Sequence, residues 1–240
     1  GPWWASLLPD GSATMAHMRT IPGLLADLQR EGSRPRITMY DDTHGPTAPE
    51  RIELSARVLD NWVAKAANLL VEDLDIGPQD SVLLDLPPHW RAAYWALAAW
   101  SVGARVVPGA DLEGADLLVT GNADRAARSD ARDRVLVTLP ALARSGDQVP
   151  AGVVDEARVL FTYGDVFTGG EPTAYPSWAP DPHWERGTRV HTATPDLAEF
   201  LKVCLHAWAV DGSVVLSRGQ AEASVIERRC AAEGVTLTLD

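Results

Sequence analysis

The chain has few cysteines and no long apolar run. Cys204 and Cys230 are its only two cysteines, too few for a disulfide framework or a zinc-ligand set. No metal site is therefore predicted from cysteine, and a reducing, cytoplasmic location is expected. No stretch of 18 or more apolar residues occurs, so the sequence predicts no membrane-spanning helix.

Positive charge is also scarce. Lysine and arginine total 21 against 33 acidic residues, which gives a formal net charge of −12. Such a chain repels nucleic-acid backbones and anionic lipid surfaces, so neither nucleic acid nor membrane is an expected partner. Lys65 and Lys202 are the only lysines, so any chemistry that needs a lysine has two candidates. Lys65 lies on a predicted amphipathic helix, where we expect it at the surface.

The first residues do not resemble a secretion signal, because no basic region precedes their short apolar patch. Gly1-Pro2 and Ala16-His17-Met18 are typical of a protease remnant and a cloning junction. We therefore predict that residues 1–17 are a vector- or tag-derived or disordered extension.

The rest of the chain alternates between strand and helix patterns. Ser55 is placed to cap a helix that runs to about residue 72, and residues 81–86 form an apolar run typical of a strand buried on both faces. Further strands are predicted at 36–40, 51–54, 105–107, 116–120, 134–139, 158–162, 187–192, 213–217 and 235–239, and further helices at 21–29, 89–101, 122–128, 195–210 and 220–233. The pattern predicts an α/β fold with mostly parallel, doubly wound sheets flanked by helices.

Composition suggests a division of this fold along the chain. We predict a first α/β lobe at 18–150, a connecting segment rich in Pro, Gly and Trp at 151–186, and a second, smaller α/β lobe at 187–240. Within it, residues 163–186 carry many Pro, Gly and aromatic residues and are either a lobe boundary or an ordered functional loop.

Three motifs in the first lobe carry a resemblance to a known family. They are Arg51-Ile52-Glu53-Leu54-Ser55, Gly77-Pro78-Gln79-Asp80-Ser81-Val82 and Trp95-Ala96-Leu97-Ala98-Ala99-Trp100-Ser101-Val102-Gly103-Ala104. In order and spacing they resemble the opening of the adenylate-forming superfamily, which includes acyl-CoA synthetases and peptide-synthetase adenylation domains. A weaker pattern at 188–240 is similar to the next subdomain of that family. The resemblance implies the N-terminal part of the family's large domain; a coincidental doubly wound domain is the alternative.

The family's phosphate-binding loop is altered in this chain. The resemblance places it at 159–173, where the family has a Gly-, Ser- and Thr-rich loop with lysine after a proline. Here Thr173 stands at the lysine position, and Asp165 and Glu171 add negative charge. A carboxylate a few Å from a phosphate costs on the order of a few kcal/mol at intermediate dielectric. The remaining candidates for binding a nucleotide are Thr162, Thr168, Gly169, Gly170 and Thr173.

The family's later nucleotide-binding motifs and its C-terminal catalytic lysine have no counterpart in residues 1–240. The resemblance therefore implies a degenerate, non-catalytic binding or protein-interaction module, with a homodimer or a protein partner as an expectation and no cofactor. The alternative is a nucleotide- or acyl-group-binding subunit whose adenylating activity needs a partner chain; ATP or AMP is expected only in that case.

Another cluster contains acidic and histidine side chains. Asp181, His183, Glu185 and His191 are candidates for a metal or acid–base site, although loop solvation and a strand-edge histidine explain them more simply. No catalytic residue is predicted.

Overall fold

The computed structural model describes residues 20–43, 49–109, 113–169 and 183–239. The predicted N-terminal extension 1–17 lies outside these ranges. In chain order the elements are α1 (Ile21–Leu28), β1 (Pro35–Asp41), β2 (Glu50–Ser55), α2 (Ala56–Glu72), β3 (Ser81–Asp85), α3 (Trp90–Ser101), β4 (Arg105–Pro108), β5 (Leu117–Thr120), α4 (Ala123–Arg128), β6 (Asp133–Leu136), β7 (Val154–Asp155), α5 (Glu156–Val159), β8 (Arg189–Thr192), α6 (Leu197–Ala209), β9 (Ser213–Arg218), α7 (Ala223–Ala232) and β10 (Leu237–Thr238). Two 3₁₀ turns, Gln29–Glu31 and Leu160–Thr162, follow α1 and α5.

The strands form two five-stranded sheets. The first has the order β10-β8-β9-β1-β2 and is parallel except for the antiparallel hairpin of β1 and β2. The second has the order β4-β3-β5-β6-β7 and is parallel throughout. This confirms the predicted α/β fold with mostly parallel sheets and flanking helices.

The sheets do not follow the two lobes predicted from sequence order. Strands β1 and β2 fall within the predicted lobe 18–150, yet β1 pairs with β9 in the sheet of the predicted lobe 187–240. The pairing places Ile37 beside Val214 and Met39 beside Leu216, and all four side chains are buried. A strand of this apolar character is stabilised wherever both of its faces are covered, and sequence order alone does not specify its neighbour.

Helix α3 lies at the centre of the molecule. It contacts β3 and β4 of the second sheet and β1 and α6 on the side of the first. Eleven residues of α3 are buried. A helix that is apolar on nearly all sides belongs in a core. The tryptophans of α3, at steps of five along the helix (Trp90, Trp95 and Trp100), therefore do not need to share one face.

The predicted helix starts are confirmed at two caps. The Thr20 hydroxyl accepts the Gly23 N–H at 3.1 Å, and the Ser55 hydroxyl accepts the Val58 N–H at 3.3 Å. Both side chains satisfy amide donors that a first helical turn leaves unpaired. Within the described ranges, every helix is too short or too polar to cross a membrane.

The predicted strand at 158–162 is wrong. This stretch is helical, first as α5 and then as the 3₁₀ turn Leu160–Thr162. Glu156 and Leu160 are buried, whereas Arg158 between them is exposed. A strand would place all three side chains on one face, and a helix places only Glu156 and Leu160 together. Strand β7 was not predicted from the sequence. It is two residues long and pairs with β6 at the edge of the second sheet.

Candidate functional site

The segment that the sequence resemblance places at the phosphate loop lies against helix α2. After the 3₁₀ turn Leu160–Thr162, residues 163–169 continue without regular structure. We call residues 161–169 the docked segment. Tyr163 and Phe167 pack their rings partly into the main core, whereas Phe161 and Val166 are exposed.

Lys65 of α2 makes the main polar contacts with the docked segment. Its Nζ lies 2.6 Å from the Asp165 carboxylate and donates to the carbonyl oxygens of Tyr163 at 2.7 Å and Phe161 at 3.4 Å. The lysine side chain is 19% exposed, so it lies partly buried at the surface, beneath the docked segment. Three acceptors around one ammonium match the three N–H donors that a lysine carries.

Two further side chains at the same end of α2 hold the docked segment. Asn68 donates to the carbonyl oxygens of Gly164 and Val166, each at 3.1 Å. The Tyr163 hydroxyl donates a hydrogen bond to the carboxylate of Asp73, the C-cap residue that follows α2. Burial, followed by the bond to Asp73, raises the pKa of Tyr163 above its usual value. The segment is therefore fixed through its backbone as well as its side chains.

The structure places three of the five candidate nucleotide-binding residues. The Thr162 hydroxyl donates to the Val159 carbonyl at 2.6 Å, so its proton caps the turn. Thr168 and Gly169 are exposed, and a Cβ added at Gly169 would lie 3.0 Å from the Phe167 ring. Gly170 and Thr173 lie outside the described residues, as does Glu171. A role for any of these residues in binding stays a prediction.

The electrostatics of the docked segment do not favour an incoming phosphate. The nearby cation, Lys65, already contacts Asp165, whose side chain is 61% exposed. A phosphate that approached Lys65 would either displace this carboxylate or lie beside it, and two like charges within a few Å repel. In this arrangement the segment is closed onto α2.

A buried polar network, missed by the sequence analysis, anchors the start of the docked segment. Glu156 of α5 accepts from Arg91 Nη1 at 3.1 Å and from Trp95 Nε1 at 2.7 Å, and all three side chains are buried. Arg91 also donates to the carbonyl oxygens of Leu139 and Pro140. The network ties α5 to the central helix α3. An arginine within an otherwise apolar helix was the only signal of it in the sequence.

A second polar cluster holds α7 on the first sheet. Arg229, the one α7 residue that is fully buried, donates to both oxygens of Asp42 at 2.9 Å and to Ser217 Oγ at 2.7 Å. One turn later, at the C-terminal cap of α7, Glu233 accepts from Arg51 and Arg189, each at 2.8 Å. This helix is held by ion pairs more than by apolar contacts.

His191 belongs to the same polar cluster as Arg229 and Ser217. Its Nε2 lies 2.9 Å from Ser217 Oγ, and burial together with nearby Arg229 lowers the pKa of its imidazole. Among the described residues, no group of three or more His, Cys, Asp or Glu side chains is arranged to hold a metal ion. Asp181, another member of the predicted cluster, lies outside the described residues.

No family model matches the chain. A curated relative, described as a TIGR03089 family protein of Mycobacterium tuberculosis, is 36% identical over 156 residues. The alignment covers 61% of this chain and 61% of that protein. The matched region thus spans about three fifths of the length of the relative.

Solved structures establish the fold. An acyl-CoA synthetase from Brucella canis matches 92% of this chain with a TM-score of 0.66 and 17% identity, and 47% of that chain is covered. The N-terminal subdomain of Klebsiella oxytoca NpsA, in complex with anthranilyl-AMSN, matches 94% of this chain with a TM-score of 0.58 and 14% identity, and 60% of it is covered. The chain therefore has the fold of the N-terminal part of adenylate-forming enzymes, which confirms the fold that the sequence motifs predicted.

Proposed function

We propose that this chain is a non-catalytic binding or protein-interaction module built on the N-terminal fold of adenylate-forming enzymes. The observation that carries the proposal is the engagement of Lys65 by Asp165 and by the carbonyl oxygens of Tyr163 and Phe161. Phosphoryl and acyl-adenylate chemistry depends on positive groups that face the transferring phosphate. In this chain, the positive charge of Lys65 is directed at the backbone carbonyl oxygens and the carboxylate of the docked segment.

Apolar exposure on the docked segment supports the interaction role. Phe161 and Val166 are 67% and 73% exposed, and their carbonyl oxygens are held by Lys65 and Asn68 respectively. Large apolar side chains on a fixed backbone are typical of surfaces that a protein partner covers. A homodimer or a complex with another protein is part of this proposal. A cytoplasmic location belongs to it as well, supported by the two unpaired thiols of Cys204 and Cys230.

Thermal unfolding with nucleotide tests the proposal. We expect no shift in Tm with millimolar Mg²⁺–ATP or with anthranilyl-AMSN. A ligand that binds only the native state at a hundredfold excess over Kd would add about 2.7 kcal/mol, which unfolding measurements readily detect. The matched variant is Glu171→Gly with Thr173→Lys, which returns the family's residue types to two positions of the loop. A saturable shift in the unaltered chain would show that it binds nucleotide, and the nucleotide- or acyl-group-binding subunit would then replace this proposal.

The second candidate function is a nucleotide- or acyl-group-binding subunit that a partner chain completes. One observation favours it: the NpsA N-terminal subdomain, which shares this fold, is described in complex with anthranilyl-AMSN. If this chain is such a subunit, it binds that compound by itself, and the Glu171→Gly/Thr173→Lys variant binds it more tightly. If neither form binds, the interaction module remains the proposal, and size-exclusion chromatography with light scattering tests the homodimer directly.

A further inference from the structure

The two sheets have four edge strands, and these differ in what they offer to another strand. The edges are β10 and β2 in the first sheet and β4 and β7 in the second. Strands β7 and β10 are two residues long, β4 has four residues and β2 has six. An exposed edge strand carries unpaired N–H and C=O groups that can pair with another chain. Length therefore leaves β2 and β4 as the edges that can accept a strand.

Proline closes the edge of β4. The N–H groups of Arg105 and Gly109 donate to carbonyl oxygens at the two ends of β3, so residues 105, 107 and 109 face that strand. Val106 and Pro108 then face outward, and proline has no N–H group. The outer edge of β4 thus offers one donor, which makes it a poor template for a second strand.

The outer edge of β2 is open. The Asp42 N–H, just after β1, donates to a β9 carbonyl oxygen, so the backbone groups of residues 37, 39 and 41 face β2 instead. The register pairs these three residues with 54, 52 and 50 of β2. The N–H and C=O groups of Arg51 and Glu53 therefore point away from β1. Both residues are exposed, and no strand of the described ranges lies beyond them.

The side chains on this edge are complementary to a second copy of themselves. Arg51 and Glu53 lie two residues apart on one face of β2, where Arg51 contacts Tyr40 and Glu53 contacts Thr38. An antiparallel copy of β2 centred on Ile52 places each Arg51 opposite the other copy's Glu53, with four backbone hydrogen bonds between the copies. A centre on Arg51 or on Glu53 would place like charges opposite each other, which is unfavourable. The charges thus select one register.

Backbone hydrogen bonds supply most of the attraction in this pairing. Arg51 already contacts Glu53 and Glu233 of its own chain, each at 2.8 Å, so pairs between the copies extend an existing network. Charged side chains usually protect an edge from other strands, and here they favour a strand of the same sequence. The net charge of −12 on each copy opposes association only weakly, because charges more than about 8 Å apart are largely screened at physiological salt.

We propose that the outer edge of β2 is a homodimer interface, at which two copies join their first sheets into one continuous sheet across a two-fold axis at Ile52. A two-fold interface needs a self-complementary surface, which this edge provides. The inference rests on the proposed interaction role and assigns a surface to its homodimer. Pairing of two short strands buries less area than a standard interface, so Kd is expected at about 1–100 µM.

Sedimentation velocity of the full chain between about 1 and 500 µM tests the proposal, with Glu53→Pro and Glu53→Ala as a matched pair. Both variants lose the contacts of Glu53 with Arg51 and Thr38, and only proline removes the outward N–H. We expect alanine to weaken the dimer by up to about tenfold and proline by at least about a hundredfold. Proline is tolerated on edge strands, and equal Tm values of the two variants check the fold.

A disulfide measures the register without relying on these variants. Ile52 faces β1 through its backbone, so in the dimer it meets its own copy in a non-hydrogen-bonded pair with a Cα–Cα distance of about 4.5 Å, within disulfide range. In a Cys230→Ser background, Ile52→Cys is expected to form a covalent dimer in a glutathione buffer. Glu50→Cys is the matched control: it lies on the same face, also half-buried, but about 13 Å from its copy, too far for a disulfide.

Three results would overturn this interface. They are a monomer at every concentration, the same Kd for Glu53→Pro and Glu53→Ala, and cross-linking of Ile52→Cys that does not exceed that of Glu50→Cys. A monomer would leave the docked segment as the surface for a different protein partner. A Tm shift with nucleotide, by contrast, counts against the proposed role and leaves the oligomeric state untouched, so the two failures are distinguishable.

Discussion

Replacement of Glu156 by glutamine is the most direct test of how α5 and the docked segment are anchored. The Glu156 carboxylate receives Arg91 at 3.1 Å and the Trp95 indole N–H at 2.7 Å, and none of the three side chains is open to water. Glutamine keeps the shape but has one acceptor oxygen, so one donor loses its partner or meets the amide NH₂ group.

The size of the effect follows from these contacts. Loss of a charge-assisted hydrogen bond costs about 1.5–3 kcal/mol, and removal of one partner of a buried ion pair costs about 3–5 kcal/mol. Because Arg91 keeps the carbonyl oxygens of Leu139 and Pro140 as acceptors, we expect the lower end, about 3 kcal/mol. Glu156→Leu combined with Arg91→Met removes both charges and is expected to recover part of this loss.

Urea unfolding measures the change. With a slope of about 2 kcal/mol per M, the midpoint of Glu156→Gln falls by roughly 1.5 M. The matched control is Asp27→Asn, whose ion pair with Arg30 is solvent-exposed on both sides and contributes about 0–1 kcal/mol. If the free energy of unfolding of Glu156→Gln stays within about 0.5 kcal/mol of that of the unaltered chain, the buried network does not anchor α5.

Three further predictions concern other sites. Burial by itself raises the pKa of Glu233, but hydrogen bonds from Arg51, Tyr40 and Arg189 outweigh it and hold the pKa at about 2, below its ordinary 4.5. The stabilisation is therefore present above pH 4.5 and is lost as the pH falls towards 2; with a discount for solvent screening we expect a loss of about 1–2 kcal/mol, which unfolding at several pH values measures. Glu233→Gln reduces this slope, and the part that remains belongs to other carboxylates with lowered pKa values, such as Asp41 and Asp211. Gly212→Ala is expected to lower the free energy of unfolding by more than about 3 kcal/mol, because a Cβ there would lie 2.1 Å from a carbonyl oxygen. In the control Gly77→Ala, the added Cβ meets nothing within 4 Å, so its Tm should match that of the unaltered chain. Lys65→Met is expected to speed chymotryptic cleavage at Phe161 severalfold, while the free energy of global unfolding changes by about 1 kcal/mol. An unchanged cleavage rate would mean that Lys65 does not hold the docked segment.

Much of the local structure was predictable from local patterns. The caps at Thr20 and Ser55, the apolar stripe of α2 and the buried run of β3 each depend on residues close together in the chain. Such features are determined by hydrogen bonds and burial within one element, so the sequence specifies them directly. The sequence resemblance also places Thr173 at the position of the family's loop lysine, and this assignment stays a prediction.

The misassigned stretch at 158–162 shows where local patterns fail. Val159, Leu160 and Phe161 are a short apolar run, and such a run does not distinguish a strand from a buried helical turn. The choice depended on Glu156, which Arg91 and Trp95 draw into the core from another part of the chain. No pattern within the stretch itself carries that information.

The sequence by itself determined the fold class and most helices and strands. The tertiary structure alone decided that β1 joins the sheet of β8 and β9, that Lys65 is engaged by the docked segment, and that three arginines meet at Asp211. The reason is physical: these contacts join residues 25 to 177 positions apart, and their energy depends on distance and burial that only the packed molecule defines.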